Sequence, residues 1–260
     1  MKNIFYSGMV ILALLSGCKK DDTDYSGLIV GKWLLTQIDG QAIKTNQSTC
    51  CEYSANGDES YSTGVQVDEN NKIWIENGQF TYKTNGSVVS ISGTDVNGKQ
   101  NDIDIDVQSI DEEQTTQKTK KYLIDNVEIS DLGTYTYKRI TTDFSSQFTG
   151  IWYGKCTTPG TTDTGYHYWE YFTDGTYNYY YQDSEGNWIK KTDNEGRYFL
   201  YGELFVSNYT NDLITGGKSK TYECWIFKID GDTMTWTALR DNNKTESYQM
   251  TKVAATPQTK

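Results

Sequence analysis

Most of what this chain can be is set by a pattern that it uses twice. Gly31-Lys32-Trp33 returns as Gly150-Ile151-Trp152, 119 residues on. Glu52-Tyr53 with Asn56-Gly57 returns as Glu170-Tyr171 with Asp174-Gly175, and Gly78-Gln79-Phe80 returns as Gly196-Arg197-Tyr198, both at a spacing of 118. The closing segments, residues 135–140 and 248–253, lie 113 apart. Matches in one order at nearly one spacing mean tandem copies of a single plan. They divide the 260 residues into units 28–140 and 148–253, joined by the polar stretch Thr141 to Ser146. Each unit is long enough to bury a modest core.

The second copy shows its strands plainly. Segments Tyr166 to Thr173 and Thr176 to Tyr181 flank Asp174-Gly175, a strong hairpin signal. Further turns fall at Glu185-Gly186-Asn187, Asn194-Glu195-Gly196, Asp230-Gly231-Asp232 and Asp241-Asn242-Asn243, which predicts eight or nine consecutive strands. Composition agrees: Thr and Tyr make up 55 residues against 18 Ala and Leu, so β-formers outnumber helix formers. Tight turns leave no room for crossover helices, so the sheet is antiparallel, and a meander this long removes its exposed edges by closing. Alternation puts Trp225, Phe227, Met234 and Trp236 inside. Between Asp68 and Lys191 the acidic turns Asp68-Glu69-Asn70-Asn71 and Asp183-Ser184-Glu185-Gly186-Asn187 are ordinary hairpin chemistry and lack a calcium-loop pattern.

A Gly-x-Trp opening strand, the hairpin Tyr171 to Tyr177, a Gly-x-Tyr strand and a closing Asp-x-Met-x-Trp strand resemble the lipocalin-like domains of Bacteroidetes lipoproteins. The likeness covers the second half well and the first half more thinly, where Gly98 to Lys121 reads as irregular and charged. It implies an all-β chain of two tandem small antiparallel up-and-down barrels, with Trp152, Tyr171 and Tyr177 pointing inward. It implies no particular ligand.

The N-terminus points to the cell envelope. Lys2, an apolar run from Ile4 to Leu15, and Leu15-Ser16-Gly17-Cys18 resemble a bacterial lipoprotein signal, residues 1–17, with Cys18 as the lipidated residue. Residues 18–27 then form a polar tether whose Lys19-Lys20-Asp21-Asp22 start resembles surface-export signals of Bacteroidetes lipoproteins. The expected location is the outer membrane, lipid-anchored and surface-exposed, with the membrane as partner through that anchor. The envelope permits disulfides. Cys156 and Cys224 are a candidate pair, although parity puts them on opposite faces unless a bulge intervenes; Cys50 and Cys51 are read as isolated thiols.

Chemistry is sparse. A net charge of −11 argues against nucleic acid as a partner. His167 is the sole imidazole and sits in a strand-like run, with no loop presenting Ser or Cys to it, so a structural strand histidine is expected. No phosphate loop or metal motif occurs, and neither an enzyme nor a cofactor is expected. Asp232-Thr233-Met234 resembles a short O-glycosylation sequon, which would modify Thr233. What stands out is that residues 141–260 hold 24 of the 36 aromatic residues. Expected, therefore, is a non-enzymatic protein whose second barrel takes a small amphipathic molecule or glycan on Trp169, Tyr171, Tyr177, Tyr179, Tyr181, Trp225 and Trp236, while the first binds nothing comparable. The alternative is a structural, adhesion or assembly component of the cell surface.

Overall fold

Each copy opens on a glycine that a larger residue could not replace cheaply. Gly31 and Gly150 have φ of 137° and 121°, and a Cβ there would meet the Arg139 guanidinium at 2.7 Å or Lys252 Cε at 2.8 Å. Before each glycine runs a single helical turn, α1 (Ser26–Ile29) and α2 (Ser145–Phe148). After each comes a tryptophan, Trp33 or Trp152, with no exposed surface. The computed structural model describes residues 25–65, 74–76, 78–130, 132–191, 196–210 and 220–260. The signal segment, Cys18, most of the tether and the Asp68–Asn71 turn lie outside these residues.

The first copy contributes β1 (Gly31–Ile38), β2 (Gln41–Ala42), β3 (Cys50–Tyr53), β4 (Asp58–Val65), β5 (Trp74–Glu76), β6 (Gly78–Asn85), β7 (Val88–Asp95), β8 (Gln100–Ile110), β9 (Gln114–Ile124), β10 (Val127–Glu128) and β11 (Thr134–Ile140). The second contributes β12 (Gly150–Cys156), β13 (Tyr166–Tyr171), β14 (Thr176–Gln182), β15 (Trp188–Lys190), β16 (Gly196–Tyr201), β17 (Leu204–Thr210), β18 (Lys220–Asp230), β19 (Thr233–Leu239) and β20 (Thr245–Val253). Pairing β9 with β8 closes the first sheet, and pairing β13 with β14 closes the second. Each ring holds eight antiparallel strands in up-and-down order, with β2, β5, β10 and β15 as spurs off the rings. Closure satisfies the strand edges that an open meander would expose.

Two expectations are corrected. Gly98 to Lys121 is not irregular: it holds most of the long β8–β9 hairpin, with Ile103, Ile105 and Val107 packed in or against the first core. Two register shifts, between Asp104/Ile105 and Val107/Ser109, break the alternation that would have revealed it. Cys156 and Cys224 are free, buried thiols. Strands β20 and β19 separate theirs, and Cys224 packs outside its barrel with Leu34 and Val206, on the face opposite inward-facing Trp225. No bulge brings the sulfurs together. Cys50 and Cys51 likewise form no disulfide.

The barrels touch through Leu34, Phe199, Leu204, Val206 and Cys224, a third apolar cluster distinct from the two interiors. Beside it the β18–β19 ladder stops at the Ile226–Thr237 pair. There the 3-10 turn Thr45–Gln47 of the first copy takes over. Asn46 Oδ1 accepts the Cys224 N–H at 3.0 Å, and Thr45 Oγ1 accepts the Leu239 N–H at 2.8 Å. Side chains of one barrel thus satisfy backbone donors of the other.

Candidate functional site

The hairpin β13–β14 puts aromatic residues on both faces, and the register decides which meet. Trp169 pairs with Tyr179 and Tyr171 with Tyr177 on the inner face, while Tyr168 pairs with Tyr180 outside. Among the described residues, β14 meets β16 at the Thr176–Arg197 and Tyr177–Gly196 pairs. Gly196 has to be small here, because its Cβ would lie 2.2 Å from the Tyr177 ring. Farther along the same edge, β14 pairs with the spur β15.

Inside lies a cavity of about 200 Å³ bordered by Trp169, Tyr171, Tyr177, Tyr179, Trp225 and Trp236. Six of the seven residues expected to contact a ligand are therefore together. Tyr181 is not on the cavity wall: it stacks on Tyr179 at 6.1 Å between centroids, one step toward the rim. The other end is plugged by α2, whose Phe148 contacts Tyr171, Tyr198, Phe205 and Phe227.

Lys191, Ser207, Glu223 and Tyr248 complete the border, and sequence reasoning missed them. Glu223 was legible, since it shares inward parity with Trp225 and Phe227. Its carboxyl accepts the Trp225 indole N–H at 3.2 Å, and burial raises its pKa although Arg240 pulls it down. Two further donors on the border, the Tyr171 hydroxyl and the Trp236 indole N–H, are buried without a partner.

A hydrogen-bonded chain holds the rim. His167 Nε2 lies 2.8 Å from Asp163 Oδ1, and Nδ1 lies 2.8 Å from the Tyr179 hydroxyl. A carboxylate only accepts, so Nε2 carries a proton; in the neutral ring Nδ1 then accepts from Tyr179. Tyr248 donates to the other Asp163 oxygen at 2.6 Å. The His167 bond holds the Asp163 carboxyl below its usual range, and burial raises the Tyr179 and Tyr248 hydroxyls. His167 therefore ties the β12–β13 loop to the cavity rim. Both its nitrogens are engaged, and neither partner is a serine or cysteine. Among the described residues, no three His, Cys, Asp or Glu side chains form a group that could hold a metal ion.

A second cavity, about 280 Å³, lies between the barrels against Leu34, Leu35, Ile43, Ile226, Ala238 and Leu239. It is the larger of the two, but four of its hydroxyls have backbone partners: Thr45 takes the Leu239 N–H, and Thr36, Ser48 and Thr237 donate to the Thr136, Thr45 and Ile226 carbonyls. With few polar groups free to orient a ligand, it is the weaker candidate. The first barrel's interior differs at a matched position. Glu59 stands opposite Tyr53 where Tyr177 stands opposite Tyr171, and it is 6% exposed.

No family description and no curated protein matches this chain. Solved structures similar to it include a protein of unknown function of the DUF3598 family from Nostoc punctiforme, 9% identical over 89% of this chain and 99% of that one, at a TM-score of 0.23. Another is isotype 1 transferrin binding protein B from serogroup B Neisseria meningitidis, 7% identical over 79% of this chain and 65% of that one, also at 0.23. At such scores neither likeness bears on what this chain does.

Proposed function

We propose that this is a non-enzymatic, lipid-anchored protein of the outer membrane surface whose second barrel binds a small amphipathic molecule or glycan. The anchor and location rest on the Leu15-Ser16-Gly17-Cys18 signal and the polar tether after it. The binding function rests on one observation: a cavity of about 200 Å³ walled by Trp and Tyr, with a few polar groups among them. Apolar walls with sparse, placed polar groups are the usual build of a small-molecule site. Titrating a panel of glycans, bile acids and fatty acids while following Trp fluorescence tests it. At least one compound gives a saturable change, and Trp169→Ala removes that change while circular dichroism stays unaltered. A panel that gives no change at all would sink the reading.

A surface role in adhesion or assembly is the second reading, and the outer face of the second barrel supports it. Tyr153 stacks on Tyr166 at 4.9 Å and contacts Tyr168 and Trp188, and Tyr166 is 40% exposed. This reading takes over if the cavity binds nothing.

A further inference from the structure

The cavity's aromatic wall is continuous and carries an acid. Trp236 lies 5.1 Å from Trp169 and 5.8 Å from Trp225, and Tyr248 meets the rings of Trp169 and Trp225 edge-on at 5.7 and 5.4 Å. Ring faces carry negative potential and attract cations, most strongly on Trp. Glu223 borders the same space. Among the described residues it makes no ion pair, and its hydrogen bond comes from a neutral indole. Arg240, whose charge does reach Glu223, spends Nε and Nη1 on Glu246, Asn46 and the Cys224 carbonyl and stacks over Trp225 at 4.1 Å; its Nη2 is buried without a partner and makes no bond to Glu223. Lys191, the cationic residue on the border, has an interaction of its own. An under-compensated carboxyl beside Trp faces, in a chain of net charge −11, is an environment for positive charge.

We propose that the ligand of this cavity is a small organic cation, an alkylated or quaternary ammonium, seated on Trp169, Trp225 and Trp236 with Glu223 as its counter-charge. This rests on the cavity being a ligand site, and it narrows the amphipathic class to one charge sign. The size agrees, since a cavity of about 150 Å³ holds a benzene-sized molecule.

The test compares choline with its neutral carbon isostere, 3,3-dimethylbutan-1-ol, on the full chain by calorimetry and Trp fluorescence. Choline should bind at least about tenfold more tightly than the alcohol. Glu223→Gln should lower choline affinity about tenfold without changing the circular dichroism spectrum, and Lys191→Met, which removes a like charge from the border, should raise it. Equal affinity for the two probes overturns the inference on the native protein alone, with no variant needed. So does a loss of choline binding in Lys191→Met, or binding of other panel members but not choline; in each case the cavity remains a ligand site. If neither probe nor any panel member binds, the ligand-site reading falls with it.

Discussion

Trp33 and Trp152 occupy the same place in their two barrels, down to the hydrogen bond. Each donates its indole N–H to the carbonyl four residues upstream, Ile29 or Phe148, at 2.7 Å. Each lies under a cation from its barrel's last strand, Arg139 at 4.0 Å and Lys252 at 5.2 Å from the ring centroid. Those cations in turn donate to carbonyls of the helical turn or its edge, Val30 and Gln147. The glycine before each tryptophan leaves room for that cation. One device, used twice, pins a helical plug to the first and last strands.

Replacing either tryptophan by Ala should therefore cost roughly 3–5 kcal/mol, through lost burial and an unfilled cavity. Urea unfolding followed by circular dichroism measures it. Phe at either position should recover part of the loss, because it refills volume but leaves the Ile29 or Phe148 carbonyl without its indole donor.

The contact between barrels makes its own prediction. Asn46→Ala removes the acceptor of the buried Cys224 N–H and one partner of Arg240. Leaving a buried donor unpaired should cost about 1–3 kcal/mol. Combined with Arg240→Ala, the loss should be less than additive, since the two share one network. Strict additivity in a double-mutant cycle would mean that the turn of the first barrel does not act through Arg240.

How much of this was legible follows from where the alternation is clean. In the second copy Asp-Gly turns separate strands whose inner and outer residues alternate without a break, so Trp225, Phe227, Met234 and Trp236 could be placed inside. In β8 the same signal exists, with Ile103 and Ile105 between Asp102, Asp104 and Asp106. Two bulges then shift its partners on β9, and a run of Thr and Lys hides the rest. The aromatic side of the cavity could be read because Trp and Tyr are conspicuous. Glu223 could be placed inward by its parity with Trp225, although one acid among 35 carries no mark of its surroundings; the Asp163–His167 bond could not be read, because a loop residue's partner depends on closure of the barrel.

Glu59 predicts a pH dependence. Burial in the first barrel raises its pKa from 4.5 to about 8. The folded state then holds a proton that the unfolded state has released, so stability falls as pH rises through that window. The slope should approach about 1.4 kcal/mol per pH unit between pH 4.5 and 8, flattening above it. Glu59→Gln keeps the shape and removes the titration. It should be the more stable protein at pH 7 and should lose most of this slope, as urea midpoints taken from pH 5 to pH 8 would show. A slope that survives the substitution would assign the effect elsewhere.

The thiols give the last prediction, and it reaches the N-terminus as well. Cys50, Cys51, Cys156 and Cys224 are all buried, and none forms a disulfide. Burial pushes the Cys51 thiol well up and Cys224 up to about 12, so neither offers a thiolate at neutral pH. Ellman's reagent should therefore react with none of the four in the native protein, even after purification without reductant. In denaturant the count reports on Cys18. A thioether-linked lipid leaves four reactive thiols, whereas an unprocessed chain, with five cysteines, gives five. A count of two would mean that Cys156 and Cys224 had found each other despite facing opposite sides of the barrel wall. Protein isolated from membranes should give four, and mass spectrometry of its N-terminal peptide should show acyl chains on Cys18.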